Sequence, residues 1–240
     1  MHCAIIHSME LTQMLAGLLL PEGRGVISIT GAGGKTSTMK ALAGRFRAMG
    51  RSVLLTTTTK IQGPRHFDYD VDHVFVEESD ALSHEPAPAQ SVLYAQRALM
   101  DPKKLVSPRR EVLDILVARY DVTIIEADGA RTLPLKFHQE RDPVVIDSTD
   151  ATLAVIGASA FGCRVDDTCF GFESDALVDT AFLDFLIRDG QGVLKGAKGR
   201  TVILVNQADE CIVPIHELHS PVPVVLGSIR EDRMYDGSGL

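Results

Sequence analysis

Val26-Ile27-Ser28-Ile29-Thr30-Gly31-Ala32-Gly33-Gly34-Lys35-Thr36-Ser37 is the stretch on which the reading of this chain turns. Its first four residues form a short β-branched, apolar run of the kind that becomes a buried strand. From Thr36 to Met49 the pattern changes period, and Met39, Leu42, Ala43 and Phe46 fall on one helical face. Residues 30–37, which join strand to helix, hold three glycines, a lysine and three hydroxyls. Glycines let the backbone turn so that successive N–H groups point at one anion, and the first turn of a helix adds partial positive charge. Gly31, Ala32, Gly33, Gly34, Lys35, Thr36 and Ser37 are therefore expected to cradle the phosphates of a nucleotide. In this reading Lys35 neutralises phosphoryl oxygens and the Thr36 hydroxyl ligates Mg²⁺. The loop is a shortened GxxGK[ST], because the first glycine of the longer GxxxxGK[ST] pattern would fall on Ile29.

Working outward, similar apolar runs recur at Val53-Leu54-Leu55-Thr56, Val71 to Val76, Val122-Thr123-Ile124-Ile125, Thr152 to Ile156, Val202-Ile203-Leu204-Val205 and Val222 to Leu226. Helical spacing appears between them, at Glu111 to Tyr120 and Asp175 to Ile187. Strands alternating with helices predict an α/β fold of the P-loop NTPase type: a doubly wound, mainly parallel sheet with helices on both faces, in a single domain over residues 1–240. In such sheets ligands bind beyond the carboxyl ends of the strands, so the chemistry is sought there.

Three more strand ends carry candidate groups. The run Val122 to Ile125 leads into Glu126-Ala127-Asp128-Gly129, where one carboxylate of the pair can hold Mg²⁺ and the other orient or deprotonate an attacking group. Spacing alone does not divide the roles between Glu126 and Asp128. Val53 to Leu55 leads into Thr56-Thr57-Thr58-Thr59-Lys60, which puts Lys60 in reach of a γ-phosphate or an anionic substrate. Val202 to Val205 ends in Asn206-Gln207-Ala208-Asp209, similar to the Asn-Lys-x-Asp motif with which GTPases read their base, with Gln207 in place of the lysine. Asn206 and Asp209 are thus expected at a purine.

Taken in one order, these motifs, with Gly129-Ala130-Arg131, Leu133-Pro134-Leu135-Lys136 and Gly192-Val193-Leu194-Lys195-Gly196, resemble the YqeC-type accessory proteins of selenium-dependent molybdenum hydroxylases. The resemblance spans roughly Val26 to Asp209. It implies a P-loop NTPase fold and a part in maturing a molybdenum hydroxylase or its cofactor. The chain departs from the expected pattern at Asp142-Pro143-Val144, where a Glu-Pro-Val is expected, and at Cys169-Phe170-Gly171-Phe172, where a cation is lost. The phosphate loop also looks like that of the Mur ligases, whose further domains this length does not accommodate.

The leading expectation is Mg²⁺-dependent binding and hydrolysis of ATP or GTP, with Lys35, Lys60, Glu126 and Asp128 as catalytic groups and Thr36, Glu126 and Asp128 around the metal. One alternative is a phosphotransferase or acyl-phosphate-forming enzyme whose Lys60, Arg131 and Lys136 grip an anionic acceptor. The other is a nucleotide-sensing chaperone without turnover. Composition trims the partners: 24 Lys+Arg against 32 Asp+Glu give a formal charge of -8, which argues against nucleic acid and anionic membrane. The apolar stretch from Met14 to Leu20 is too short to span a bilayer, so a cytoplasmic location is expected. Cys3, Cys163, Cys169 and Cys211 lack metal-ligand spacing, and only His216 and His219 among the histidines stand at i, i+3.

Overall fold

The computed structural model describes residues 9–236. Cys3, His2 and His7 lie outside them. The strands are β1 Gly25–Gly31, β2 Val53–Thr57, β3 Lys60–Gln62, β4 His73–Phe75, β5 Ser91–Tyr94, β6 Gln96–Arg97, β7 Lys104–Val106, β8 Val122–Glu126, β9 Leu135–Lys136, β10 Ala151–Gly157, β11 Cys169–Phe170, β12 Arg200–Asn206, β13 Val224–Ser228 and β14 Arg233–Met234. The helices are α1 Leu11–Leu19, α2 Lys35–Ala48, α3 Glu78–Ser83, α4 Arg110–Val117, α5 Val165–Thr168 and α6 Thr180–Arg188.

Nine strands form the central sheet in the order β14-β13-β12-β10-β1-β8-β2-β5-β4. Every neighbouring pair is parallel except β13 with β14. The chain leaves β1 through α2 toward β2 on one side and later reaches β10 and β12 on the other, so the order reverses at β1. That reversal opens a crevice at the carboxyl end of β1, where the glycine loop lies.

Near-continuous apolar strands sit where both faces are covered. On one face Leu15 and Leu19 of α1 and Met39, Leu42 and Phe46 of α2 pack on Ile27, Ile29, Leu55, Ile124, Leu153 and Leu204. On the other, Leu183, Leu186 and Ile187 of α6 cover Ala154, Ile156, Ile203 and Val205, and Val112 and Leu116 of α4 cover Leu54, Val92 and Tyr94. Gly50, at φ +77°, stops α2, since it lies in the left-handed region that ends helices.

Two expected elements are shifted. The helix expected from Asp175 starts at Thr180, because Asp179 takes the extended backbone of a cap and its carboxylate accepts from Phe182 N–H at 2.8 Å. The strand expected over Val71 to Val76 is confined to His73–Phe75. The Met14 to Leu20 stretch is the end of α1, an amphipathic core helix, with its C-cap Leu20, and no helix among the described residues is long and apolar enough to cross a membrane. Ser91–Tyr94, an inner strand of the sheet, and the small antiparallel sheet β3-β7-β6 had no expectation attached.

Candidate functional site

The glycine loop turns at the end of β1 with Gly31 at φ +89°, Gly33 at +82° and Gly34 at +111°, a run that only glycine adopts without strain. Close packing adds a second demand: a Cβ on Gly33 would fall into the backbone of Gly157, and one on Gly31 into Val155. Ala32 N–H donates to Val155 O at 2.8 Å, which ties the loop to β10. Gly34 precedes the first residue of α2, with no side chain capping the helix, so the start of α2 opens onto the crevice.

The two acids at the end of β8 part company. Asp128 is fully buried behind the loop, where its Oδ2 accepts from Gly31 N–H at 2.8 Å and lies 2.7 Å from His138 Nε2, while Lys35 Nζ stands 3.0 Å from its Oδ1. Burial by itself raises a carboxyl pKa, but the Lys35 charge, the His138 hydrogen bond and the Lys136 charge outweigh it and hold Asp128 at about 2. Glu126 is also buried, yet it lines the cleft and accepts from the Thr36 hydroxyl at 2.7 Å. Its pKa is raised, first by burial and then by the Asp128 charge, against the pull of Lys35 and the Thr36 hydrogen bond.

Lys35 is 5% exposed and donates to Gly31 O at 2.6 Å besides pairing with Asp128. His138 extends the network, its Nδ1 lying 2.7 Å from Gly192 O. Lys136, expected in the alternative reading to grip an acceptor, is instead fully buried: it pairs with Asp142 and donates to Gly129 O at 2.6 Å. The Asp142 of the sequence departure thus supplies its counter-ion.

The threonines after β2 are mostly spent within the fold. Thr57 Oγ1 donates to Glu126 O at 2.8 Å and the Thr58 hydroxyl to Val144 O at 2.7 Å. Lys60, by contrast, is exposed on β3 and lines the cleft. Cys163 is exposed and Cys169 buried. His219 sits 2.8 Å from Asp184 and His216 within reach of Glu217, so the i, i+3 pair does not converge.

Over the loop lies a cleft of about 400 Å³, lined by Lys35, Thr36, Ser37, Lys60, Glu126 and Arg131 among others. A second cavity, of about 580 Å³, adjoins it and shares Gly34, Ser37, Phe67 and Gln207. Asp209, Arg230 and Ile229 belong to this second cavity. Asn206 stands between the two as a strut, its Nδ2 donating to Gly33 O at 2.8 Å and its Oδ1 accepting from Ile229 N–H at 2.9 Å. Asp209 is paired with Arg230. Gln207 Oε1 accepts from the Ser159 hydroxyl at 2.9 Å, bracing the rim.

Sequence reasoning missed Lys104, His138, Arg230 and Phe67. Lys104 arrives on a three-residue strand too short to show a period, and the others come from loops with no local signal.

Fold and site together define an α/β protein with a parallel sheet and a glycine-lysine-threonine loop at its point of strand reversal. The chain belongs to the YqeC family, whose profile, described as YqeC protein, matches residues 27–173. It is similar to the uncharacterized protein YqeC of Escherichia coli (strain K12), with 32% identity over 232 residues covering 86% of this chain and 88% of that one.

Proposed function

We propose that this protein is a P-loop NTPase that binds ATP or GTP with Mg²⁺ and hydrolyses it, and that it serves as an accessory factor in maturing a selenium-dependent molybdenum hydroxylase or its cofactor. The observation that carries the nucleotide reading is the pairing of the left-handed glycine loop with the Thr36–Glu126 contact of 2.7 Å at the floor of the cleft. Backbone N–H groups from Gly33 to Ser37, at the N-terminus of α2, bind the phosphates, those of Gly31 and Ala32 being held by Asp128 and Val155, and Lys35 leaves its Gly31 and Asp128 partners partly to meet them.

A hydroxyl and a carboxylate 2.7 Å apart and facing the cleft are the hard oxygen donors that suit Mg²⁺. Thr36 and Glu126 would hold the ion, which would neutralise phosphate charge when bound. The metal role expected for Asp128 passes to Glu126 alone, because Asp128 is sequestered by Gly31, Lys35 and His138. Asp128 acts as a positioning residue for Lys35. Asn206 shapes the base cavity from behind the loop, and Asp209 with Arg230 faces the purine. The part in molybdenum hydroxylase maturation rests on family membership and the resemblance described above.

Isothermal titration with ATP and with GTP, each with and without Mg²⁺, tests the nucleotide reading: binding that Mg²⁺ strengthens is expected, and a folded protein that binds neither nucleotide refutes it. Co-purification of a molybdenum hydroxylase, dependent on bound nucleotide, is the corresponding result for the accessory role, and its absence under both loaded and empty conditions speaks against that role.

A further inference from the structure

The cleft over the loop carries a surplus of positive charge. Four cations line it, Lys35, Lys60, Lys104 and Arg131, against a single carboxylate, Glu126. Lys35 has Asp128 as its partner. Among the described residues, Lys60, Lys104 and Arg131 have no ion pair. In a chain of formal charge -8, three unpaired cations turned to one cavity are not the background of the surface.

Each of the three is put there by the fold. Lys104 on β7 is paired in register with Gln62 on β3, two residues from Lys60, and side chains at i and i+2 of one strand and opposite each other across a ladder share a face. Both ammonium groups thus leave the small sheet on the side that walls the cleft. Arg131, in the loop after β8, lines the same cleft. Its guanidinium lies 5.0 Å from the centre of the Phe170 ring, a cation–π contact that helps to orient the group. Arg131 and the β-branched Thr132 hold left-handed backbone, at φ +47° and +67°, a conformation that non-glycine residues keep only where the surrounding structure fixes it.

We infer that the wall formed by Lys60, Lys104 and Arg131 binds a small oxyanion co-substrate, of the phosphate, sulfate or carboxylate class, beside the nucleotide. This rests on the nucleotide reading of the same cleft: the loop and Lys35 take the triphosphate, and the opposite wall takes the second anion. Lys136, which the sequence also offered for this purpose, is buried against Asp142 and takes no part.

The test uses the whole protein saturated with Mg²⁺ and a non-hydrolysable ATP or GTP analogue, titrated at constant ionic strength with inorganic phosphate, sulfate and malonate by calorimetry. Saturable binding of at least one is expected, with the tetrahedral and carboxylate arms showing which geometry the wall prefers. Arg131→Gln and Lys104→Gln should each weaken that anion by about tenfold or more while nucleotide affinity moves by less than about threefold. Absence of saturable binding by all three anions overturns the inference. So does an equal loss of nucleotide affinity in both variants, which assigns the cations to the nucleotide's own phosphates. Should the wild type bind no nucleotide, it is the function proposed above that falls. The anions are then titrated on the empty protein, where binding removed by Arg131→Gln but kept by Lys35→Ala sustains the site and any other result ends it.

Discussion

At the scale of single residues, Asp128 and Glu126 show how two like carboxylates acquire different chemistry from their surroundings. Asp128 has a cation, a histidine and a backbone N–H around it, and its pKa falls from 3.8 to about 2. A carboxylate whose pKa is lower in the folded state stabilises the fold fully above its unfolded pKa, and that contribution is lost as pH falls through the folded value. Denaturant melts of the wild type should therefore lose stability between pH 3.8 and about 2 in part through this group. Asp128→Asn should flatten that limb and, by leaving Lys35 without its buried counter-charge, lower stability near neutral pH by roughly 3 kcal/mol. Equal acid limbs in variant and wild type would show that Asp128 does not carry the effect. Glu126 has the opposite sign. Its raised pKa means that ionising it opposes folding, so stability from this group is full below the ordinary value of 4.5 and declines as pH rises through the higher folded value. Mg²⁺ requires the ionised form, so Mg²⁺-dependent nucleotide affinity should climb with pH through that range, and Glu126→Gln should remove both the climb and the metal dependence.

At the scale of elements, the loop and the strut each do a definable job. Gly33→Ala places a methyl into the Gly157 backbone at a left-handed φ, and should destabilise the fold by about 1–3 kcal/mol and weaken nucleotide binding at least about tenfold. A variant with wild-type melting and wild-type affinity would show that the loop has room the packing denies it. Asn206→Ala removes the bridge from Gly33 to Ile229 and leaves a buried N–H and C=O unanswered, which should reduce stability by about 1–3 kcal/mol as read by thermal melting. Its effect on ATP and GTP should be equal, since both ends of the amide are engaged by Gly33 and Ile229. A selective loss of one nucleotide would place Asn206 at the base after all.

At the scale of the whole molecule, α1 closes the core over the strands beyond β1. Leu11, Leu15 and Leu19 are fully buried with β10 and β12 residues, while the helix lies far along the chain from both. Leu15→Ala should lower unfolding free energy by about 2–5 kcal/mol in chemical denaturation, with nucleotide affinity of the folded fraction retained. A loss under about 1 kcal/mol would mean that α1 is an attachment and not part of the core.

Much of this organisation was legible along the chain because it is local. The period switch from Val26–Ile29 to Met39–Phe46 announces strand, turn and helix within one window, and the three glycines between them are demanded by backbone conformations that few other residues tolerate. The parallel α/β class follows from repetition of that unit. The order of strands and the layer that α1 fills were not legible, since neither leaves a trace in any single window. Tertiary structure alone separated Glu126 from Asp128: Lys35 lowers the pKa of both, but loop packing brings His138 and Lys136 to Asp128 only. It also buried Lys136, made Asn206 a strut, and turned Lys104 toward the cleft. Electrostatic environment and burial are properties of three-dimensional neighbours, whereas turn chemistry and periodicity belong to the chain itself.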